Sequence, residues 1–382
     1  MSDGGGVRMR YDSAARIGHL EEILINIISR LPPKDAVACK TVAKHWLSMI
    51  SEPKFANLQL SHSQKNPNYI ICPYPKGSDI VTHLSLMDGD GTIYRTLPLP
   101  GFETISSPDM VCHLNGLICC VNEIDFDDVE IRLFNPITRE LLLFPTGSPS
   151  LLPPSVGVVF DPDSTNYKVF RFFLDSIESG TCKCEVYASD STEWKLVSED
   201  VERPEPNPIC PMCPYYVSVA GKMYWFEWSE PDPSYPLSIL SVDLNDEFSI
   251  IMLPKAVNEW SFLIELEGFL ALVWLDYPDL YAADVEDDPK PFLEVWKFEP
   301  LGWKLRASGA LELDLLSIRD FNSVAARGNE IFFIIKTDES LCFCIFDLAD
   351  GTLRMLDVGD TYDEYVPVAF PFVESLLKCS GD

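Results

Sequence analysis

The residues that could do chemistry in this chain are few and badly placed for it. All five histidines, His19, His45, His62, His83 and His113, precede residue 114 of 382, so a Ser-His-Asp, Cys-His or His-rich metal site across the remaining two-thirds has no imidazole to use. Cys210-Pro-Met-Cys213 has the spacing of a zinc half-site, but no second CxxC and no HxxxH occurs anywhere in the chain. A tetrahedral site wants four ligands, and in a Pro-rich segment this pair reads as free thiols. Carboxylates cluster in IDFDDVE at 124–130 and DVEDDP at 284–289; neither has the D-x-D-x-D-G order of a calcium loop, and both read as solvated loops. There is no GxxxxGK[ST] and no strand-GxGxxG-helix fingerprint, so nucleotide binding has no support. The expectation is a protein without catalytic residues, metal or cofactor, whose work is recognition.

Charge narrows the partners. The formal net charge is −30, and it is unevenly spread: residues 1–66 hold nine Lys/Arg against six Asp/Glu, and the rest twenty against fifty-three. Nucleic-acid affinity comes largely from Lys and Arg displacing counterions, so a DNA or RNA ligand is not expected. The same field draws in basic partners. No apolar run reaches the roughly 18–20 residues of a membrane span, and the start, MSDGGGVRMRYDSAAR, lacks the apolar core of a signal peptide. A cytoplasmic or nuclear location is therefore expected, with the twelve cysteines reduced.

The elements that position recognition residues come in two kinds. Leu20, Ile23, Leu24, Ile27, Ile28 and Leu31 follow the i, i+3, i+4, i+7 spacing of one helical face, and Pro32-Pro33 stop it. Cys39, Val42, Ala43, Trp46, Leu47 and Ile50 repeat the spacing and predict a second helix, with a third, shorter element over Pro53, Phe55, Leu58 and Leu60. Ile25 and Met49 lie off both stripes with no obvious internal home. A unit of about 40 residues buries too little surface to stand alone, so these faces imply a partner. The run LEEILINIISRLPPKDAVACKTVAKHWLSMISEPKF resembles an F-box, the module through which substrate receptors dock onto the Skp-type adaptor of cullin-RING ubiquitin ligases. The resemblance rests on Leu20, Glu22, Ile23, Ile27, Arg30-Leu31-Pro32, Lys34, Val42, Lys44, Trp46, the Ser51–Pro53 turn and Phe55. It implies adaptor contacts from Leu20, Ile23, Leu24, Ile27, Leu31, Pro32, Val42, Trp46 and Phe55.

From Asn68 onward helical periodicity gives way to short alternating, aromatic and β-branched runs broken by Gly, Asn-Pro and Asp-Pro turns. Cys182/Cys184 and Cys342/Cys344, two apart in such runs, each point to one sheet face and read as small core residues. A loose unit recurs around Gly116, Gly221, Gly268 and Gly328, separated by 105, 47 and 60 residues, which suits one missing repeat and a period near 50, with a variant, GVVFDPDSTNYKVFRFF followed by CEVYASDSTEWKLVS, between the first two. Four-stranded repeats of roughly 40–50 residues signal a β-propeller. Six blades are expected, at about 68–100, 110–146, 155–200, 215–254, 260–306 and 321–357. The first shows three clear strands, and the run Val366–Phe372 is expected to supply the fourth and close the ring. A β-sandwich pair is the alternative architecture. The fragments CHLNGLICCV, IRLFNPITRELLLFP, VVFDPDSTNYKVFR, CEVYASDSTEWK and VSVAGKMYW resemble the F-box-associated, kelch-related domain of a large family of plant F-box proteins.

The expected organisation is a disordered 1–17, an F-box at 18–62, a propeller at 68–375 and a tail at 376–382. Target recognition is assigned to three long Pro-rich aromatic segments, 203–216, 228–236 and 274–291, with Tyr215, Trp228, Tyr235, Tyr277 and Tyr281 as anchors. The resemblance implies the non-catalytic substrate receptor of an SCF-type ligase. Its partners would be the Skp-type adaptor, through it the cullin and RING subunits, and a target protein with a basic epitope. The rival readings are a non-degradative F-box scaffold and a kelch-like oxidase, and the histidine distribution disfavours the oxidase.

Overall fold

The computed structural model describes residues 13–65, 67–72, 83–98, 109–125, 128–151, 154–161, 166–176, 183–197, 216–228, 236–256, 258, 260–276, 290–311, 318–338, 340–358 and 368–379. Four helices come first: α1 (Ser13–Ile28), α2 (Pro33–Cys39), α3 (Lys44–Ile50) and α4 (Pro53–Ser63). The helix expected as one piece over 39–50 is broken at Lys40–Ala43. Thr41 Oγ1 donates to Ala38 O, and Ala43 is extended, with φ −157° and ψ 155°, before α3 starts. Thr41 and Val42 are β-branched and favour such a break. Pro33 and Pro53 sit in the first turns of α2 and α4, where a missing N–H leaves no helical bond unmade. Helix α1 begins at Ser13, inside the segment expected as a disordered leader.

The remainder is a six-bladed propeller, each blade a four-stranded antiparallel sheet. Blade 1 pairs β1 (Asn68–Cys72), β2 (His83–Met87) and β3 (Ile93–Pro98) with a strand from the far end of the chain. Blade 2 holds β4 (Asp109–Leu114), β5 (Leu117–Asp125), β6 (Asp128–Asn135) and β7 (Glu140–Leu143); blade 3 holds β8 (Ser155–Phe160), β9 (Tyr167–Phe173), β10 (Lys183–Ala188) and β11 (Lys195–Leu196). Blade 4 holds β12 (Tyr216–Val219), β13 (Lys222–Trp228), β14 (Pro236–Asp243) and β15 (Phe248–Met252). Blade 5 has β16 (Ser261–Leu266), β17 (Phe269–Asp276), β18 (Phe292–Glu299) and β19 (Gly302–Ala310). Blade 6 has β20 (Ile318–Arg327), β21 (Glu330–Thr337), β22 (Leu341–Asp347) and β23 (Leu353–Leu356). The last strand, β24 (Val368–Phe372), pairs antiparallel with β1 and completes blade 1, with Ile70 opposite Phe370. The inner strands touch in the order β24, β4, β8, β12, β16, β20 and back to β24, so the ring is closed as expected. Pro371, in an inner edge strand, needs no N–H for a second ladder.

The recurring glycine now has a structural reason. Asn115-Gly116, Ala220-Gly221 and Glu267-Gly268 are two-residue turns with φ between +49° and +86° at both positions, which is the turn that matches the twist of paired strands. Gly328 serves the same inner hairpin in blade 6. Blade 3 uses a longer connection, 161–166, and this accounts for the wide first spacing.

Because every blade is a four-stranded meander starting at the axis, the inner hairpins and the third-to-fourth turns share one end of the ring. The second-to-third connections and the blade-to-blade connections share the other. The described strands that flank residues 73–82, 99–108, 198–215 and 277–289 all end or begin at the second end. The helical module sits at the first, where Gln64 Nε2 donates to Asn115 Oδ1 at 2.9 Å.

Burial pushes the thiols of Cys72, Cys344 and Cys379 up to about 12. At pH 8 about one part in ten thousand of each is then thiolate, the reactive form. Iodoacetamide at pH 8 is expected to label half-buried Cys39 in the native protein and to leave these three unlabelled until denaturant is added; peptide mass mapping before and after unfolding checks it.

Candidate protein-docking site

Helix α1 is apolar along one broad stripe, and the structure uses its two flanks differently. Ile28 is buried, and Leu24 and Ile25 pack beside it, in a core that also holds Ala36, Met49, Ile50, Phe55, Ala56 and Leu60. Ile25 and Met49 thus have an internal home after all. Leu20, Ile23 and Ile27, on the flank of the same stripe turned away from that core, are 66, 45 and 58% exposed. Val42 in the α2–α3 turn and Leu47 on α3 are exposed as well. Glu21 Oε1 lies 3.5 Å from His45 Nε2, which brings the first turn of α3 beside α1. An exposed isoleucine alone needs no explanation; five large aliphatic side chains in a module of four short helices form a surface suited to being covered.

Of the nine residues expected to dock, Leu20, Ile23, Ile27, Pro32 and Val42 are exposed. Leu24, Leu31 and Trp46 are half-buried, packed against the module's own core with part of each side chain left at the surface. Phe55 is corrected: it is 2% exposed and belongs to the core. Leu47, 49% exposed, joins this surface although it is not among the nine; it lies on the same expected stripe as Val42 and Trp46, and spacing alone does not tell it from them. The break at Lys40–Ala43 resets α3 so that Met49 and Ile50 point inward and Leu47 outward.

Tyr215, Tyr235, Tyr277 and Tyr281 lie outside the described residues, as does Cys210-Cys213. Trp228 is described only as backbone, the last residue of β13, opposite Pro236. At the end shared by the second-to-third and blade-to-blade connections, the described chemistry sits between blades 4 and 5. Lys255 Nζ lies 2.7 Å from Glu294 Oε2 and 3.4 Å from the centre of the Trp274 ring, and Trp296 Nε1 donates to the same Glu294 oxygen at 2.7 Å. Carboxylate and indole together hold an ammonium there. Among the described residues, no group of three or more His, Cys, Asp or Glu is placed to hold a metal ion, and no helix is long and apolar enough to cross a membrane.

A four-helix module with an open aliphatic face at the tight-turn end of a closed six-bladed propeller is the architecture of an F-box protein with a β-propeller domain. Family comparison agrees: residues 21–58 match the F-box domain and residues 97–379 match the F-box associated beta propeller domain. The chain belongs to the family of F-box proteins carrying that propeller. Among curated relatives from Arabidopsis thaliana, F-box protein At5g07610 is 26% identical over 78% of this chain and 72% of its own length. F-box protein At4g19940 is 23% identical over 90% of this chain and 87% of its own. F-box only protein 8 is 24% identical over 66% and 86%.

Proposed function

We propose that this protein is the substrate-recognition subunit of an SCF-type cullin-RING ubiquitin ligase and makes no bond itself. Leu20, Ile23, Ile27, Val42 and Leu47 dock the Skp-type adaptor, which brings the cullin and RING subunits. The propeller captures a target protein for ubiquitination and proteasomal degradation, in the cytoplasm or nucleus. Holding a target lysine beside a charged ubiquitin carrier raises its effective concentration, and this is the whole of the receptor's contribution to rate. The observation that carries the reading is the aliphatic flank left open on a helix whose other flank is already used internally. Target capture is assigned to the end of the second-to-third connections, because the opposite end already carries the helical module. The charge beyond residue 66 favours a target with a basic epitope.

Two measurements test this. The folded protein mixed with purified Skp-type adaptor is expected to co-elute as a 1:1 complex. In cells, proximity labelling with and without a proteasome inhibitor is expected to reveal a neighbour whose level rises on inhibition. A monodisperse protein that ignores the adaptor would defeat the docking assignment; a captured neighbour with unchanged turnover would defeat the degradative one.

A further inference from the structure

The chain does not stop at its last strand. After β24, Val373–Cys379 runs beneath blades 2 and 3 at the end where the helical module sits, and Ser375, Leu376, Leu377 and Cys379 are all buried. Polar bonds hold it from below. Asn135 Nδ2 donates to Ser375 O at 3.1 Å and Leu377 O at 2.8 Å, Tyr167 Oη donates to Cys379 O at 2.5 Å, and Cys379 N donates to Glu140 Oε2 at 3.2 Å. Gly116 makes room for the passage: a Cβ there would stand 2.5 Å from Val373 O and would also collide with Ser375 Oγ.

The other side of this segment is apolar and meets the helices. Leu376 and Leu377 belong to one continuous cluster with Ile28, Met49, Ile50 and Phe55 of the helical module and Leu117, Val156 and Val158 of blades 2 and 3. Glu374, at its start, is pushed above the usual carboxylate range mainly by burial, against Arg95, with a smaller push from the Asp35 carboxylate on α2. Beside that cluster, the module is tied to the ring by the short connection after α4 and by the exposed Gln64–Asn115 bond. Neighbouring domains move relative to one another unless a large apolar interface prevents it.

We infer that Val373–Cys379 is a clasp: it is the shared apolar layer that fixes the F-box helices to blades 2 and 3 and so sets the direction in which the docking face points. The clasp itself rests on packing. Its consequence, a fixed span between adaptor and target, rests on the function proposed above.

Two variants, one shortened and one full-length, test it by hydrogen exchange, with no adaptor present. The first is the chain ended at Phe372, which keeps β24 and the ring closure. The second is Asn135→Asp, which keeps Oδ1 as acceptor for Ile137 N and Thr138 N but turns a carboxylate oxygen toward the two tail carbonyls. Amides of α1–α4 are expected to exchange at least about tenfold faster in the shortened chain, and in the same direction by less in Asn135→Asp, while blades 4–6 keep their protection. Unchanged protection of α1–α4 in both variants would overturn the clasp. So would equal loss across helices and all six blades, which would make the segment a staple of the ring alone. Neither result bears on adaptor docking, which is read separately by co-elution.

Discussion

Replacing Ile27 and Val42 together by aspartate is expected to abolish capture of the Skp-type adaptor while leaving the thermal unfolding of the isolated protein unchanged. Both side chains are more than half exposed, Ile27 at 58% and Val42 at 64%, so their loss removes little internal packing. Covered by a partner, each aliphatic side chain contributes roughly 1.5–3 kcal/mol, and a carboxylate forced into the same contact costs more. Losing roughly 3–6 kcal/mol weakens a micromolar complex about 10²- to 10⁴-fold, to between about 0.1 and 10 mM. Calorimetric titration against purified adaptor, paired with a melting curve of each variant, reads both halves of the expectation. Near-native affinity in the double variant would remove this face from consideration. Trp46→Ala with Leu31→Ala is a poorer test, because both side chains pack against the module's own core and their truncation mixes folding with binding.

That distinction marks where sequence reading ran out. Periodicity found the helices of the module, and the alternation from Asn68 onward found six blades and their closure by a C-terminal strand. It could not say which flank of α1 is inward, since Leu24, Ile25 and Ile28 and Leu20, Ile23 and Ile27 are equally apolar, and the choice is made by what α1 packs against. The F-box resemblance implies a docking role for Phe55, yet a large aromatic in a small module also fills its core, and Phe55 is 2% exposed. Leu47 shares its expected stripe with Val42, Trp46 and Ile50, and only the break at Thr41 and the extended Ala43 decides that Ile50 turns inward while Leu47 stays exposed.

The C-terminal segment shows a second limit. Residues 376–379 read as a tail because VESLLKCS has neither strand alternation nor helical period, yet Leu376, Leu377 and Cys379 are buried. An extended segment buried on all sides has no periodic signature; its signal lies in partners far away in the chain. Asn135, within the fragment IRLFNPITRELLLFP, is such a partner. Its Oδ1 closes its own turn while its Nδ2 reaches 240 residues onward to Ser375.

Arg171→Met alone is expected to destabilise the propeller by roughly 3–5 kcal/mol, and Arg171→Met with Glu185→Leu to recover most of that loss. The two residues stand directly opposite on β9 and β10, are 2 and 3% exposed, and meet at 2.6 Å from Arg171 Nη1 to Glu185 Oε1. Ser148, in the connection from blade 2, adds its N–H at 3.0 Å to Oε1 and its hydroxyl at 2.7 Å to Oε2, and the guanidinium carbon lies 5.3 Å from the Phe173 ring centre. Without the guanidinium, the carboxylate keeps only the Ser148 donors in a site closed to water, so a charge is left buried and underpaired. Removing both charges leaves no such charge. Ser148 is half-exposed and can return its two donors to water, so the apolar pair gives back what the single variant loses. Denaturant midpoints for the wild type, the two single variants and the double variant complete the cycle, and a double variant no more stable than Arg171→Met would show that the site needs its charges for more than mutual neutralisation.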